Sequence, residues 1–260
     1  MTIIRYKFVF IAVLIILNTF AGKGQGMHDR NKDLPCLNKQ FNIYVHLIYN
    51  EKRYLSTGKM YEAVESANKF FSPICVSFKI CKIDTVFNYN YNILGPVKQL
   101  EELITLYGVK NRINLYVSTN SGVLGQYNYC YSIGTLDSIQ QGASFFIGKE
   151  GGFAHELGHY FGLEDTFKDS GRELVDGSNC KVKGDRICDT PADPYVPNTK
   201  ISKYLTDCVY YYDKVDANGE RYRPDVGNVM SYYLNCQCGF SYQQYMKIVE
   251  NYNKVKIKHW

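Results

Sequence analysis

His155, Glu156 and His159 stand as His-Glu-x-x-His in the stretch "GGFAHELGHYFGLEDTF", residues 151–167. On a helix, positions i and i+4 share a face, so both imidazoles can reach one ion. Glu156 is rotated about a third of a turn away, beside the ion rather than on it. A catalytic zinc keeps three protein ligands and one open position, and lowers the pKa of its water towards 7. Glu156 is placed to take that proton. The hydroxide attacks a peptide carbonyl, the metal steadies the oxyanion, and Glu156 passes the proton to the leaving nitrogen. The chain has five histidines in 260 residues, so this spacing rarely arises by chance.

The third ligand must come from beyond the helix. Gly162, three residues after His159, suits the left-handed position that ends a helix. The chain can then turn back and bring Asp165 to the metal, where a carboxylate oxygen is an acceptable ligand. The bland alternative is a solvated loop acid. Glu173 is a rival third ligand in a thermolysin-like arrangement, although it lies in a loop rather than a second helix. Glu164 is one residue off register.

The extended pattern H-E-x-x-H-x-x-G-x-x-D resembles that of the metzincin clan. "NVMSYY", residues 228–233, is similar to the clan's Met-turn, with Met230 as the methionine beneath the metal ligands. Tyr232 matches the place where several metzincins hold a tyrosine near the metal. "HELGHYFGLEDTF", "ELVDGSNC…KGDRICDTPADP" and "NVMSYYLNCQCGFSYQQ" resemble pappalysin (cytophagalysin) motifs, in order, across residues 150–245. The resemblance implies a secreted zinc endopeptidase acting on polypeptides. His155, His159 and Asp165 would be its metal ligands, Glu156 and Tyr232 its catalytic groups. It also implies Ca2+ in the following loop, with Asp185, Asp189 and Thr190 as candidates and Asp176 as an addition. Cys180, Cys188, Cys208 and Cys236 match the family's disulfide positions, in pairings left open. Cys238 is extra, either an odd thiol or a partner for Cys130. The family's third ligand is histidine, so Asp165 is a departure. An anionic ligand lowers the site's charge by one and should acidify the water less.

The elements that must position these residues read as follows. "FNIYVHLIYN", 41–50, is rich in β-formers and reads as a strand, with His46 as a packed core residue. A helix runs from Met60 to Phe71 and stops before Pro73. Strands follow at 75–81, 112–119 and 143–148, with a short helix closed near Gly108. After Gly162 regular signals fade, and Asp, Asn, Gly, Pro and Cys dominate residues 164–227. A C-terminal helix spans 242–253. This order predicts an α+β fold of metzincin type. It has a twisted, mostly parallel sheet with an antiparallel edge strand, an active-site helix, a Met-turn and a C-terminal helix. We expect a catalytic domain at 40–260, divided at 162/163.

Composition sets the class. Apolar residues make up 45% of the chain, enough for a full core. The net charge of +5 falls to +3 when Arg5 and Lys7 go with residues 1–22, too mild for nucleic acid. Arg5 and Lys7 precede the apolar run 8–17, and small residues follow, the order of a secretory signal at 1–22. A membrane anchor is the alternative, but the run has about half the ~20 residues that a span needs. Residues 23–39 read as a flexible start, and the exported chain as a monomer. Nine cysteines in an exported protein point to disulfides with at least one left over. Cys36 reads as a disulfide partner, the alternative being a cysteine switch on the metal. A rival function keeps the same cleft for binding host or cell-surface polypeptides with weak or no catalysis.

Overall fold

The computed structural model describes residues 33–48, 57–88, 97–110, 112–118, 129–133, 142–146, 152–197 and 199–255. The expected signal, residues 1–22, and most of the expected flexible start lie outside them. So does the side chain of Cys130. Five strands form one sheet: β1 (Lys39–Ile48), β2 (Val76–Val86), β3 (Ile113–Ser118), β4 (Tyr129–Ile133) and β5 (Gly142–Phe146). Their order is β2-β1-β3-β4-β5. β1 runs parallel to β2 and β3, while β4 is antiparallel to both β3 and β5. The antiparallel strand is therefore second from the edge, not at the edge as the sequence suggested. The reason is β4 itself, which the sequence reading missed. "YCYSI" alternates over only five residues between glycine- and serine-rich flanks.

Helices cover both faces of the sheet. Phe41, Ile43 and Val45 alternate along β1 and enter the main core. Facing them, α1 (Thr57–Phe71) buries Met60, Val64, Ala67 and Phe71. Their 4-3-4 spacing is one helical stripe. Pro73 then enters a 3-10 turn at Ser72–Ile74, ending α1. On the other face α2 (Val97–Tyr107) packs Leu103 against Ile48, Val86 and Tyr116. His46 is a core residue as expected, 3% exposed. Its ring stacks on Tyr116 and its Nε2 lies 2.9 Å from Asn114 Oδ1.

Residues just before β1 are anchored rather than flexible. Cys36 is disulfide-bonded to Cys75, the Leu37 N–H donates to Ile74 O, and Leu34 and Leu37 pack on the core. The cysteine-switch alternative falls, because that sulfur is already bonded.

The histidine helix α3 (Gly152–Tyr160) lies on the α1 side of the sheet and buries Phe153, Ala154 and Leu157 in the main core. Beyond it, the chain to residue 241 holds little regular structure apart from the two-residue strands β6 (Leu205–Thr206) and β7 (Val209–Tyr210). The disulfides Cys180–Cys188 and Cys208–Cys236 close this region. The first ties the loop to itself, and the second ties it to the segment after Met230. The last helix, α4 (Tyr242–Lys254), starts with a capping box between Ser241 and Gln244. It returns Ile248, Val249 and Tyr252 to the main core.

Candidate metal centre

α3 ends as its sequence demands. Leu163 N–H donates to Gly158 O and Gly162 N–H to His159 O, while Gly162 has φ +85°. This is a Schellman stop, which glycine accepts without strain. Asn251 of α4 donates to Phe161 O and seals the same end. The chain then turns back beneath the helix. His155, His159 and Asp165 are brought together, one ligand atom from each within 4.8 Å of the others.

Both imidazoles have fixed tautomers. His155 Nδ1 donates to Val229 O at 2.9 Å, and His159 Nδ1 to Leu163 O at 2.8 Å. A carbonyl can only accept, so each neutral ring spends its one N–H there and turns the Nε2 lone pair inward. Asp165 Oδ1 lies 3.1 Å from His155 Nε2 and 3.3 Å from His159 Nε2. That oxygen is buried and accepts no hydrogen bond. Three lone-pair donors converging on one point need a cation or protons between them. Tetrahedral zinc bonds of about 2.0–2.1 Å would space ligands by roughly 3.3 Å. The residues present fit that ion.

Burial opposes a charge on His159, but Asp165 beside it prevails and pushes it up to about 9. Burial would raise Asp165, yet the two imidazoles hold it well below the usual carboxylate range. Glu156, 9% exposed, is pushed up by burial to about 7, against the pull of the two histidines. A carboxyl near 7 can both take and give a proton at neutral pH.

The turn at 228–231 packs under α3. Met230 N–H donates to Asn228 Oδ1, and Ser231 N–H to Asn228 O. Asn228 and Gln244 exchange two side-chain bonds, tying the turn to α4. Gln237 donates to Val229 O and Ser231 O. Met230 is fully buried under α3. A Cβ on Gly158 would overlap its sulfur, which explains glycine between the two histidines. Tyr232 has its ring centroid 6.4 Å from that of His155 and stacks on Tyr195 at 5.3 Å.

The other candidates separate. Asp185 and Thr190 are buried and bonded to each other, Thr190 Oγ1 donating to Asp185 Oδ1 at 2.9 Å. Asp189 instead accepts from Ser241 Oγ and Gln243 N–H at the start of α4. Asp176 is an exposed turn residue accepting from Ser178 N–H. Glu173 does not join the histidines. Its carboxyl is buried and pushed up to about 8 by that burial and by Asp185 and Asp193. Asp185 is likewise raised by burial, to about 7. The sequence reading missed Asp193, Tyr195, Gln237 and Gln244 as supports. Only the N-cap pattern Ser-x-x-Gln before α4 could have flagged Gln244.

No family model matches the chain. It is similar to proteins named extracellular metalloprotease from three fungi. The Neurospora crassa protein is 25% identical over 172 residues, 58% of this chain and 56% of that protein. The Verticillium alfalfae protein is 27% identical over 180 residues, 58% and 57%. The Colletotrichum graminicola protein is 24% identical over 169 residues, 57% and 56%. The chain spans a little over half the length of the curated relatives it matches.

Proposed function

We propose that this chain is a secreted zinc endopeptidase of the metzincin type, resembling the pappalysins, with His155, His159 and Asp165 as ligands. The observation that carries it is the meeting of two oriented imidazoles and one buried, unbonded carboxylate oxygen on a single point. The relatives' shared name supports the metalloprotease class and an extracellular setting. No described helix is long and apolar enough to cross a membrane.

Bound zinc would supply Lewis acidity, polarising a peptide carbonyl and acidifying a water. Beside such a site Glu156 would be the group to accept the proton of the attacking water and to pass it to the leaving nitrogen as the C–N bond breaks. Tyr232 is placed to hydrogen-bond the developing oxyanion. The Val229 and Leu163 carbonyls keep both rings oriented. Asp165 makes the ligand set anionic, so activity should rise at higher pH than with three histidines. Calcium belongs to this proposal also, with Asp185 and Thr190 as the candidates that lie together, while Asp189 is bonded to the start of α4.

The test is zinc content and cleavage of an unfolded protein or peptide library, with and without chelator, for wild type, Glu156→Ala and Asp165→Ala. Cleavage should follow metal, vanish in Glu156→Ala, and fall with zinc affinity in Asp165→Ala. A zinc-loaded wild type that binds the polypeptides without cutting them would favour the binding-protein reading. Full zinc affinity in Asp165→Ala would remove Asp165 from the ligand set.

A further inference from the structure

Asp193 is 2% exposed and lies 28 residues beyond Asp165 in the loop-built half. Both of its oxygens are used. Oδ2 accepts from Thr166 Oγ1 at 2.9 Å. Oδ1 accepts from Tyr233 OH at 2.9 Å and from Tyr195 N–H at 3.0 Å. Each donor adjoins a residue of the candidate site. Thr166 follows Asp165, and its own N–H donates to Met230 O at 3.0 Å. Tyr233 follows Tyr232. Tyr195 stacks on the Tyr232 ring at an interplanar angle of 24°. Phe167 packs against the same two rings, at 5.8 Å from Tyr232 and 5.1 Å from Tyr195.

We propose that Asp193 is the positioning residue of the site, one buried carboxylate that sets both the third-ligand segment and the Tyr232 ring. This rests on the zinc-peptidase reading for its purpose, but not for its geometry. Residues 163–167 form no helix or strand, so no backbone ladder fixes where Asp165 points. The Thr166 bonds to Asp193 and to Met230 O do that work. Tyr232 is likewise on a turn, and its ring direction follows from its neighbours Tyr233 and Tyr195, which share Asp193 Oδ1. A carboxylate suits the junction because it accepts at every lone pair and donates nothing. Side chains that orient metal ligands change metal affinity without touching the metal, by about 10–100-fold when removed.

The test uses cobalt as a spectroscopic substitute for zinc. Co2+ affinity and visible bands, circular dichroism, and kcat and KM on a peptide substrate are measured for wild type, Thr166→Val, Tyr233→Phe, Asp193→Ala and Asp193→Asn. Thr166→Val should weaken Co2+ by about tenfold or more and shift its bands. Tyr233→Phe should lower kcat with KM and Co2+ affinity unchanged. Asp193→Ala should show both effects. Asp193→Asn should restore most of each, because its amide can donate to Thr166 Oγ1 while its oxygen keeps the other two bonds. A merely structural role would lower the melting temperature without this split. Folded Thr166→Val and Asp193→Ala proteins with wild-type Co2+ affinity and bands would overturn the proposal. If Asp193→Ala does not fold, Thr166→Val and Tyr233→Phe decide it, since each removes one bond. A wild type that binds Co2+ but cleaves nothing would end the peptidase reading, while the cobalt comparison still tests the junction.

Discussion

The sheet half and the loop half of this molecule are held by different forces. Before α3, buried side chains among the described residues are apolar except His46. From Thr166 to Gln244 buried acids, amides and hydroxyls recur, many of them hydrogen-bonded, as Asp193 is to Thr166 and Asn228 to Gln244. The first half rests on periodic apolar packing, which tolerates volume-conserving changes. The second rests on directional bonds and two disulfides, which leave a polar group stranded when one partner goes. The candidate metal site sits on the seam. The first half's core carries the two histidines, and the second supplies Asp165, Met230 and Tyr232.

The largest expected effect separates chemistry from either scaffold. Glu156→Ala should reduce kcat about 10²–10⁴-fold, while thermal unfolding stays at or above the wild-type temperature because a buried carboxyl has gone. Loss of metal or of folding in that variant would place Glu156 in the framework instead. Next, Phe41→Ala should cost about 3–5 kcal/mol. Phe41 meets Phe161 at the end of α3 and Tyr252 on α4, so denaturant melts should show one transition for both halves. Two separate transitions would mean that the halves fold independently. Replacing Cys208 and Cys236 together by serine frees a loop of 28-residue separation and should cost about 3–4 kcal/mol. The same change at Cys180 and Cys188, separated by 8 residues, should cost about 2–3 kcal/mol. Limited proteolysis should then cut the loop half first.

A further contrast between the halves concerns pH. Burial raises Glu173 to about 8 and Asp185 to about 7 in the folded protein. In the unfolded chain these groups lose their protons near their ordinary values of 4.5 and 3.8. The folded state therefore binds more protons between those limits, and the chelated protein should lose stability as pH rises from about 5 to 8. Calcium should flatten that slope. A chelated protein equally stable at both ends would show that the acids are not buried as a pair.

The sheet half was largely legible because its signals are local. β1, α1, β2, α2 and β3 follow from alternation, a 4-3-4 stripe and Pro73, with ends displaced by a few residues. β4 was not, since five residues carry too little periodicity and its pairing is set by β3 and β5. At the seam, "HELGH" with Gly162 predicted one helix carrying both histidines and its stop, as α3 and the positive φ of Gly162 have it. Loop acids were harder, because one residue type serves as metal-site candidate, helix anchor or solvated turn. Asp185, Asp189 and Asp176 lie close in sequence and proved to be buried, bonded to α4 and exposed, respectively.

By itself, the sequence determined what a helix can hold within one turn: which face carries His155 and His159, that Glu156 stands beside it, and where the helix must stop. Those follow from 3.6 residues per turn and from the conformation only glycine adopts without strain. The tertiary structure alone decided that Asp165 Oδ1 reaches both rings, that Val229 and Leu163 carbonyls fix their tautomers, and that Asp193 joins Thr166, Tyr195 and Tyr233. The decisive ones join distant segments, His155 to Val229 across 74 residues and Tyr233 to Asp193 across 40, and their geometry exists only once the core has packed those segments together.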